Sequence, residues 1–302
     1  MSLANFLREN RAQLSAGVLL TFSSSYGQTY FIALFAAQIM AAYNLTDGQW
    51  GGIYTLSTTA SAIVMFWAGA LTDKYRVRAL AWGVVPGLAL VCMAMAANST
   101  VVGLVVIVFL LRLLGQGMMS QFASVSMARW FTGRRGLALS ISAMGFAVGQ
   151  AVLPVVVAAL FTVLEWRWIW VIAAIAMLAT FPIILRLLAS ERTPQSLAEQ
   201  TSTTGMNNQH WTRPEVLKSP IFWLMLPLLL GPPSWGTALF FQQVHIADVK
   251  GWALLDYLAL IPLLTAVAIA VTLTSGQLID RMGSARIMRL YLFPWMIGFV
   301  LL

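Results

Sequence analysis

The 302-residue chain is 60 % hydrophobic and only 9 % charged, where soluble domains carry about 25 % charged residues; an ordinary soluble domain is excluded and a lipid bilayer becomes the expected surrounding. The net charge of +8 does not point to nucleic acid, because the bases are parcelled into short loops between apolar runs. A single cysteine, Cys92, excludes an intrachain disulfide, and two histidines, His210 and His245, offer no metal-ligand cluster.

Residues 1–14 carry Arg8, Glu9 and Arg11 and lack the short apolar core of a cleavable signal, so the first span is expected to act as its own insertion signal. A helix needs about 20 apolar residues to cross a bilayer. Span 1 is predicted over 14–40, followed by a polar turn at 43–50, and span 2 over 51–72. Span 3 covers 79–97, Asn98-Ser99-Thr100 turns the chain, and span 4 covers 101–127. A basic loop at 129–136 leads to span 5 over 137–163, and Glu165-Trp166-Arg167 turns into span 6 over 168–188. Residues 189–219 are polar and read as a linker, disordered or partly helical. Span 7 is predicted over 220–246, span 8 over 253–279, and span 9 from 287 to the last residue.

The expected fold is therefore an all-α integral membrane bundle of about nine transmembrane helices. Residues 1–188 form a six-helix bundle, 189–219 a cytoplasmic linker and 220–302 a second, partial bundle. With the N-terminus in the cytoplasm, fifteen Lys and Arg residues fall on the cytoplasmic side. Only Arg167 and Lys250 fall outside, and Arg112 alone lies within a span. The positive-inside rule selects that orientation. Trp166, Trp168 and Trp252 then sit near the outer boundary, as an aromatic belt does.

Two stretches repeat. Gly69-Ala70-Leu71-Thr72-Asp73-Lys74, with Arg76 and Arg78 following, matches Gly276-Gln277-Leu278-Ile279-Asp280-Arg281, with Gly283 and Arg286 following. Asp73 and Asp280 stand 207 positions apart, and Ser25-Tyr26-Gly27 lies at a similar offset from Ser234-Trp235-Gly236. A long internal repeat in an apolar chain points to a transporter built from two related bundles. In each copy the glycine is expected to permit close helix approach, and the aspartate to sit at the membrane boundary near a helix N-terminus.

These two stretches resemble the cytoplasmic loop motif of the major facilitator superfamily, between helices 2 and 3 and between helices 8 and 9. The resemblance implies a twelve-helix plan and a latch, formed by Gly69, Asp73, Lys74, Arg78, Gly276, Asp280, Arg281, Gly283 and Arg286, that steadies the state closed to the cytoplasm. Arg76 departs from the motif, standing where the family has glycine. Two repeats of this offset need more residues than the chain has, so a C-terminal truncation before helices 10 to 12 is the expectation. By the family's symmetry Asp280 faces the start of span 5 near Gly136. Asp73 then faces a helix 11 that the chain lacks, so weakened cytoplasmic closure is expected.

Span 1 holds Ser23 to Tyr30 as a polar run at mid-depth, and span 7 holds Gly231-Pro232-Pro233-Ser234-Trp235-Gly236-Thr237, which must bend or break. Matching interruptions at the midplane are where such a transporter places its substrate. Tyr26, Gln28, Tyr30 and Trp235 are read as lining the pathway; for the serines, close helix packing is an equal reading. Arg112 is expensive at mid-span and is expected to face the protein interior or a water-filled cavity. It begins Arg112-Leu113-Leu114-Gly115-Gln116-Gly117, which resembles a superfamily motif on helix 4 linked to proton coupling. A guanidinium can grip a carboxylate through two bonds, or it can tie span 4 to polar neighbours for packing. Gln116 joins it as a pathway residue. His245 and Asp256 are further candidates for proton coupling, set against a plain boundary histidine and a helix-start acid.

Trp130-Phe131, Arg134-Arg135-Gly136-Leu137-Ala138, Gly145, Gly149, Pro154 and Trp166-Arg167 resemble the helix 4–5–6 region of monocarboxylate and oxalate–formate type facilitators. Pro154 does not follow Gly149 directly, unlike the motif of drug–proton antiporters, and span 8 lacks the base that carboxylate carriers often have there. No phosphate loop, metal cluster or nucleophile–base pair stands out, so no enzyme, cofactor or metal is expected. The reading is a monomeric carrier in the cell (inner or plasma) membrane. It moves a small organic anion by alternating access with protons. The alternatives are a neutral or cationic solute, drugs included, or a truncated chain that transports nothing.

Overall fold

The structure, a computed structural model, describes residues 3–131, 133–190, 211–241, 246, 249–252 and 261–301. Helices fill these residues, with no strand among them. The chain divides into two compact units, Met1–Leu197 and Ala198–Leu302. Seven helices among the described residues are long and apolar enough to cross a membrane.

In the first unit, α1 (Leu3–Glu9) and α2 (Arg11–Ser23) lead to a tight 3-10 turn, Ser24–Gly27. The chain then extends at Gln28, with φ −82° and ψ 151°, before α3 (Thr29–Ala33) and α4 (Ala36–Tyr43). The stretch read as span 1 is thus three helices and a turn, and for that reason it is not among the seven. Asn44 closes α4 in the left-handed region at φ 52°, a conformation that asparagine tolerates better than most side chains. Thr46 and Gln49 then form a capping box that starts α5 (Asp47–Ala68).

A short α6 (Leu71–Lys74) ends the second span, and α7 (Val77–Ala97) is the third. Thr100 caps α8 (Val101–Leu110) by accepting from the Gly103 N–H. α8 runs into a π-helical segment, Leu111–Met119, and then α9 (Ser120–Trp130), together one continuous 30-residue span. α10 (Arg135–Phe161) and α11 (Trp166–Leu187) complete the unit.

Packing follows small and aromatic residues. α2 lies along α10 and α7 along α11, while α5 packs on α8 and the π segment. Phe31, Phe35 and Trp170 are fully buried, and the Phe31 and Phe35 ring centroids lie 5.3 and 4.9 Å from that of Trp170. The rings therefore join the second half of span 1 to span 6, with a contribution of about 0.5–1.5 kcal/mol per aromatic pair beyond area burial. Cys92 is buried in the same core, a small hydrophobe as its neighbours require.

The second unit holds α12 (Arg213–Lys218), α13 (Pro220–Phe241), α14 (Ile261–Met282), α15 (Ser284–Met288) and α16 (Phe293–Leu301). α13 runs as one continuous helix through its three prolines, so the interruption expected at 231–237 does not break it. Of the linker read at 189–219, residues 191–210 lie outside the described residues.

Candidate functional site

The break in span 1 meets the π segment of span 4 at two glycines. A Cβ on Gly27 would collide with the Leu111 carbonyl oxygen and lie 2.7 Å from the Gly115 Cα. A Cβ on Gly115 would lie 2.6 Å from the Gly27 Cα. Both contacts are with backbone, so neither position has room for a larger residue. Breaking a helix in lipid frees backbone groups that no water can satisfy. Arg112 answers one of them. Its Nη1 donates to the Gly27 carbonyl at 3.3 Å and to Thr29 Oγ1 at 3.0 Å. The guanidinium carbon also lies 5.6 Å from the centre of the Tyr54 ring, within cation–π reach. Arg112 is only 7 % exposed, and its Nε has no hydrogen-bond partner. One turn further along, Gln116 Oε1 is buried without a partner.

The other residues read as lining the pathway are placed differently from one another. Gln28 is buried at the break, and its amide donates to Ser24 Oγ at 3.2 Å. Tyr30 is half-buried, edge-on to Phe146, and its hydroxyl faces Gly149 beside that of Ser25. Tyr26 turns into the apolar core, with its ring perpendicular to Phe31 at 5.4 Å. Trp235 belongs to the second unit and is 39 % exposed. It groups there with Trp295 and Phe299, at centroid distances of 6.2 and 5.6 Å. The latter two rings, with Leu239, Pro294 and Gly298, line an open apolar hollow of about 240 Å³. His245 and Asp256 lie outside the described residues.

The loop after span 2 is held by a residue that sequence reading placed only among the loop bases. Arg129, buried at the end of α9, donates from Nη2 to the Thr72 carbonyl at 2.6 Å, and the same nitrogen lies 3.6 Å from Asp73 Oδ1. The Asp73 side chain is 76 % exposed, so this ion pair is worth at most about 1 kcal/mol. The hydrogen bond to backbone is the firmer tie. Gly69 does not bring a second helix close: an added Cβ would approach only Met65, one turn back. Lys74 and Arg78 are exposed. In the second copy Gly276 is buried, while Asp280, Arg281 and Arg286 are exposed.

The two copies differ at the position where Arg76 departs from the motif. Arg76 precedes α7 with φ −63° and ψ 137°, which any residue adopts. Gly283 precedes α15 with φ 82° and ψ 151°, a region essentially restricted to glycine. Arginine therefore imposes no strain in the first copy, and glycine is required in the second.

The family model of the Major Facilitator Superfamily matches residues 17–302. The chain belongs to the major facilitator superfamily. No curated relative matches it. Members of this superfamily are membrane-embedded transporters of small solutes, not enzymes, and the apolar helices agree with a multi-pass member. Within this superfamily member, sequence reasoning missed Thr29 and Tyr54 as partners of Arg112, and Arg129 as the anchor of the loop. Tyr54 sits among small polar residues of α5 with no charge to mark it. Arg129 is one base among many at that face. Only the fold brings either to its partner.

Proposed function

We propose that the chain moves a small organic anion, such as a monocarboxylate, by alternating access with proton coupling. The observation that carries this reading is Arg112. It is a cation at mid-span, buried beside the broken segment of span 1, with Nε left to donate. The four carboxylates among the described residues of that unit, Glu9, Asp47, Asp73 and Glu165, are all exposed. A buried cation without an internal acid calls for an anion from outside. For the proton, a substrate that enters as its acid is one carrier, and His245 and Asp256 are the candidates on the chain.

In this reading Gln28, Tyr30 and Gln116 complete the polar lining of the pathway, with Tyr26 behind them and Trp235 on the second bundle. The two loop motifs act as cytoplasmic latches. The chain is nearest to the monocarboxylate and oxalate–formate type group and works as a monomer in the cell membrane. A second reading, a neutral or cationic solute, draws on the Trp235, Trp295 and Phe299 rings, since aromatic faces attract cations.

Uptake into proteoliposomes under an imposed pH gradient separates the readings. Saturable carboxylate uptake that follows the gradient and is lost in Arg112→Ala supports the anion carrier. Uptake of cations alone supports the second reading. No flux for any solute in a folded preparation supports a chain that does not transport by itself.

A further inference from the structure

Three helices of the first unit converge on one hydroxyl. Thr29 Oγ1, on the first residue of α3, accepts from Tyr54 Oη of α5 at 2.9 Å and from Arg112 Nη1 of the π segment at 3.0 Å. A threonine oxygen has two acceptor lone pairs, and here both are used. The Tyr54 ring also lies beneath the guanidinium, so the tyrosine fixes Arg112 from below while its hydroxyl fixes Thr29.

We propose that Thr29 and Tyr54 are positioning residues that hold Arg112 on the Gly27 carbonyl and so set where span 1 resumes after its break. The need for such a clamp follows from the elements on either side. α3 has five residues and α2 thirteen; helices that short do not hold their own direction and depend on packing. At the crossing itself the chain presents Gly27 and Gly115, which fit closely but carry no side chain to fix an angle. The Arg112 bond to the Gly27 carbonyl, at 3.3 Å, is long for a charged donor. The polar contact that fixes the resumption of the helix is therefore the Thr29 hydroxyl. When the clamp opens, Gln28 loses its place first, since it is the extended residue between turn and helix and is now 8 % exposed.

The proposal does not depend on which solute is carried, and neither does its test. In the full chain with Cys92→Ala, Gln28→Cys serves as a reporter for a water-soluble maleimide in membrane vesicles. Thr29→Val and Tyr54→Phe each remove one hydroxyl and keep the shape. Thr29→Val is expected to raise the labelling rate at Gln28→Cys by about tenfold or more, the scale of one lost hydrogen bond to a charged group, and Tyr54→Phe by about threefold or more, the scale of one between neutral groups. Thr29→Ser is expected to return it to the parent rate. A second reporter, Met177→Cys in the buried face of α11, is expected to stay unlabelled throughout. Unchanged labelling in both Thr29→Val and Tyr54→Phe overturns the proposal. So does failure of Thr29→Ser to restore the rate, which would assign the effect to the methyl group. An equal rise at Met177→Cys overturns it as well, because the hydroxyls would then hold the whole bundle rather than the break.

Discussion

At the residue scale, the repeated loop motif carries different backbone duties in its two copies. Asp73 and Asp280 are each followed, three positions on, by a residue that starts the next helix, Arg76 in one case and Gly283 in the other. The arginine has an ordinary extended conformation and the glycine a positive φ. A Cβ at Gly283 would have to bear that conformation at a cost of about 1–3 kcal/mol. Gly283→Ala is therefore expected to lower the thermal unfolding temperature in detergent or to reorient α15. Arg76→Gly is expected to lose no more than about 1 kcal/mol, the entropy a glycine adds to the unfolded chain. Equal losses in the two variants would show that the copies share one geometry after all. The sequence departure at Arg76 was visible from the start, but the reason it is harmless was not, because backbone torsions leave no mark on a motif.

At the element scale, close packing along span 5 was readable, while of the two interruptions expected only that of span 1 is a break. The spacing of Gly145 and Gly149 marks a helix face made for near contact, and the structure lays α10 along α2 there. A Cβ on Gly145 would collide with the Val18 carbonyl oxygen and lie 2.9 Å from the Phe22 nitrogen, both backbone atoms. Gly145→Ala is expected to cost about 1–3 kcal/mol through overpacking. Gly83 in α7 has nothing within 4 Å of an added Cβ, so Gly83→Ala is expected to be neutral or to stabilise by up to about 1 kcal/mol. Thermal unfolding of the two variants side by side reads the difference.

The polar run from Ser23 to Tyr30 marked where span 1 divides but not the turn it makes, and the π segment of span 4 escaped sequence reading because its run is apolar enough to pass as a straight helix. Hydropathy averages over the window in which a hydrogen-bond register changes. α12 is the opposite case, short and polar, and held by a cap. Thr212 donates from both its N–H and its hydroxyl to Glu215 Oε2, each at 2.7 Å. These bonds to the charged form hold the Glu215 carboxyl below its ordinary range. A depressed carboxyl pKa contributes stability above the unfolded value and loses it as pH falls through the folded value. The start of α12 is thus expected to be intact at neutral pH and to loosen only under acid conditions below the usual glutamate range. The Thr212 amide resonance should titrate at that low midpoint and stop titrating in Glu215→Gln. A midpoint at the ordinary glutamate value would mean the cap does not form in solution.

At the scale of the whole molecule, the packing of the first unit has an internal symmetry that the sequence does not display. Span 1 packs on span 5, span 2 on span 4, and span 3 on span 6, while the break of span 1 meets the π segment of span 4. Exchanging spans 1, 2 and 3 with 4, 5 and 6 leaves this set of neighbours unchanged, as expected for the inverted three-helix repeats of this superfamily. The two irregular segments then face each other across the symmetry axis, and Gly27 meets Gly115 there. Six crossings also return the chain to the side on which it began, so residues before α2 and after α11 share one face. That face holds nearly all the bases of the unit. Arg167 is its one base at the opposite end, and it has a structural duty there. Its guanidinium donates to the Ala96 and Asn98 carbonyls at 3.1 and 2.9 Å, which ends α7. One base at that end stands against many at the other, so the positive-inside rule is expected to put the basic face in the cytoplasm. With Cys92→Ala, Thr162→Cys is expected to react with an impermeant maleimide on intact cells. Glu9→Cys is expected to react only after the membrane is opened. Both positions are exposed, so burial does not account for a failure to react. The reverse pattern would mean that Arg167 outweighs the cytoplasmic bases, and it would turn both loop motifs to the outer face, where a cytoplasmic latch has no meaning.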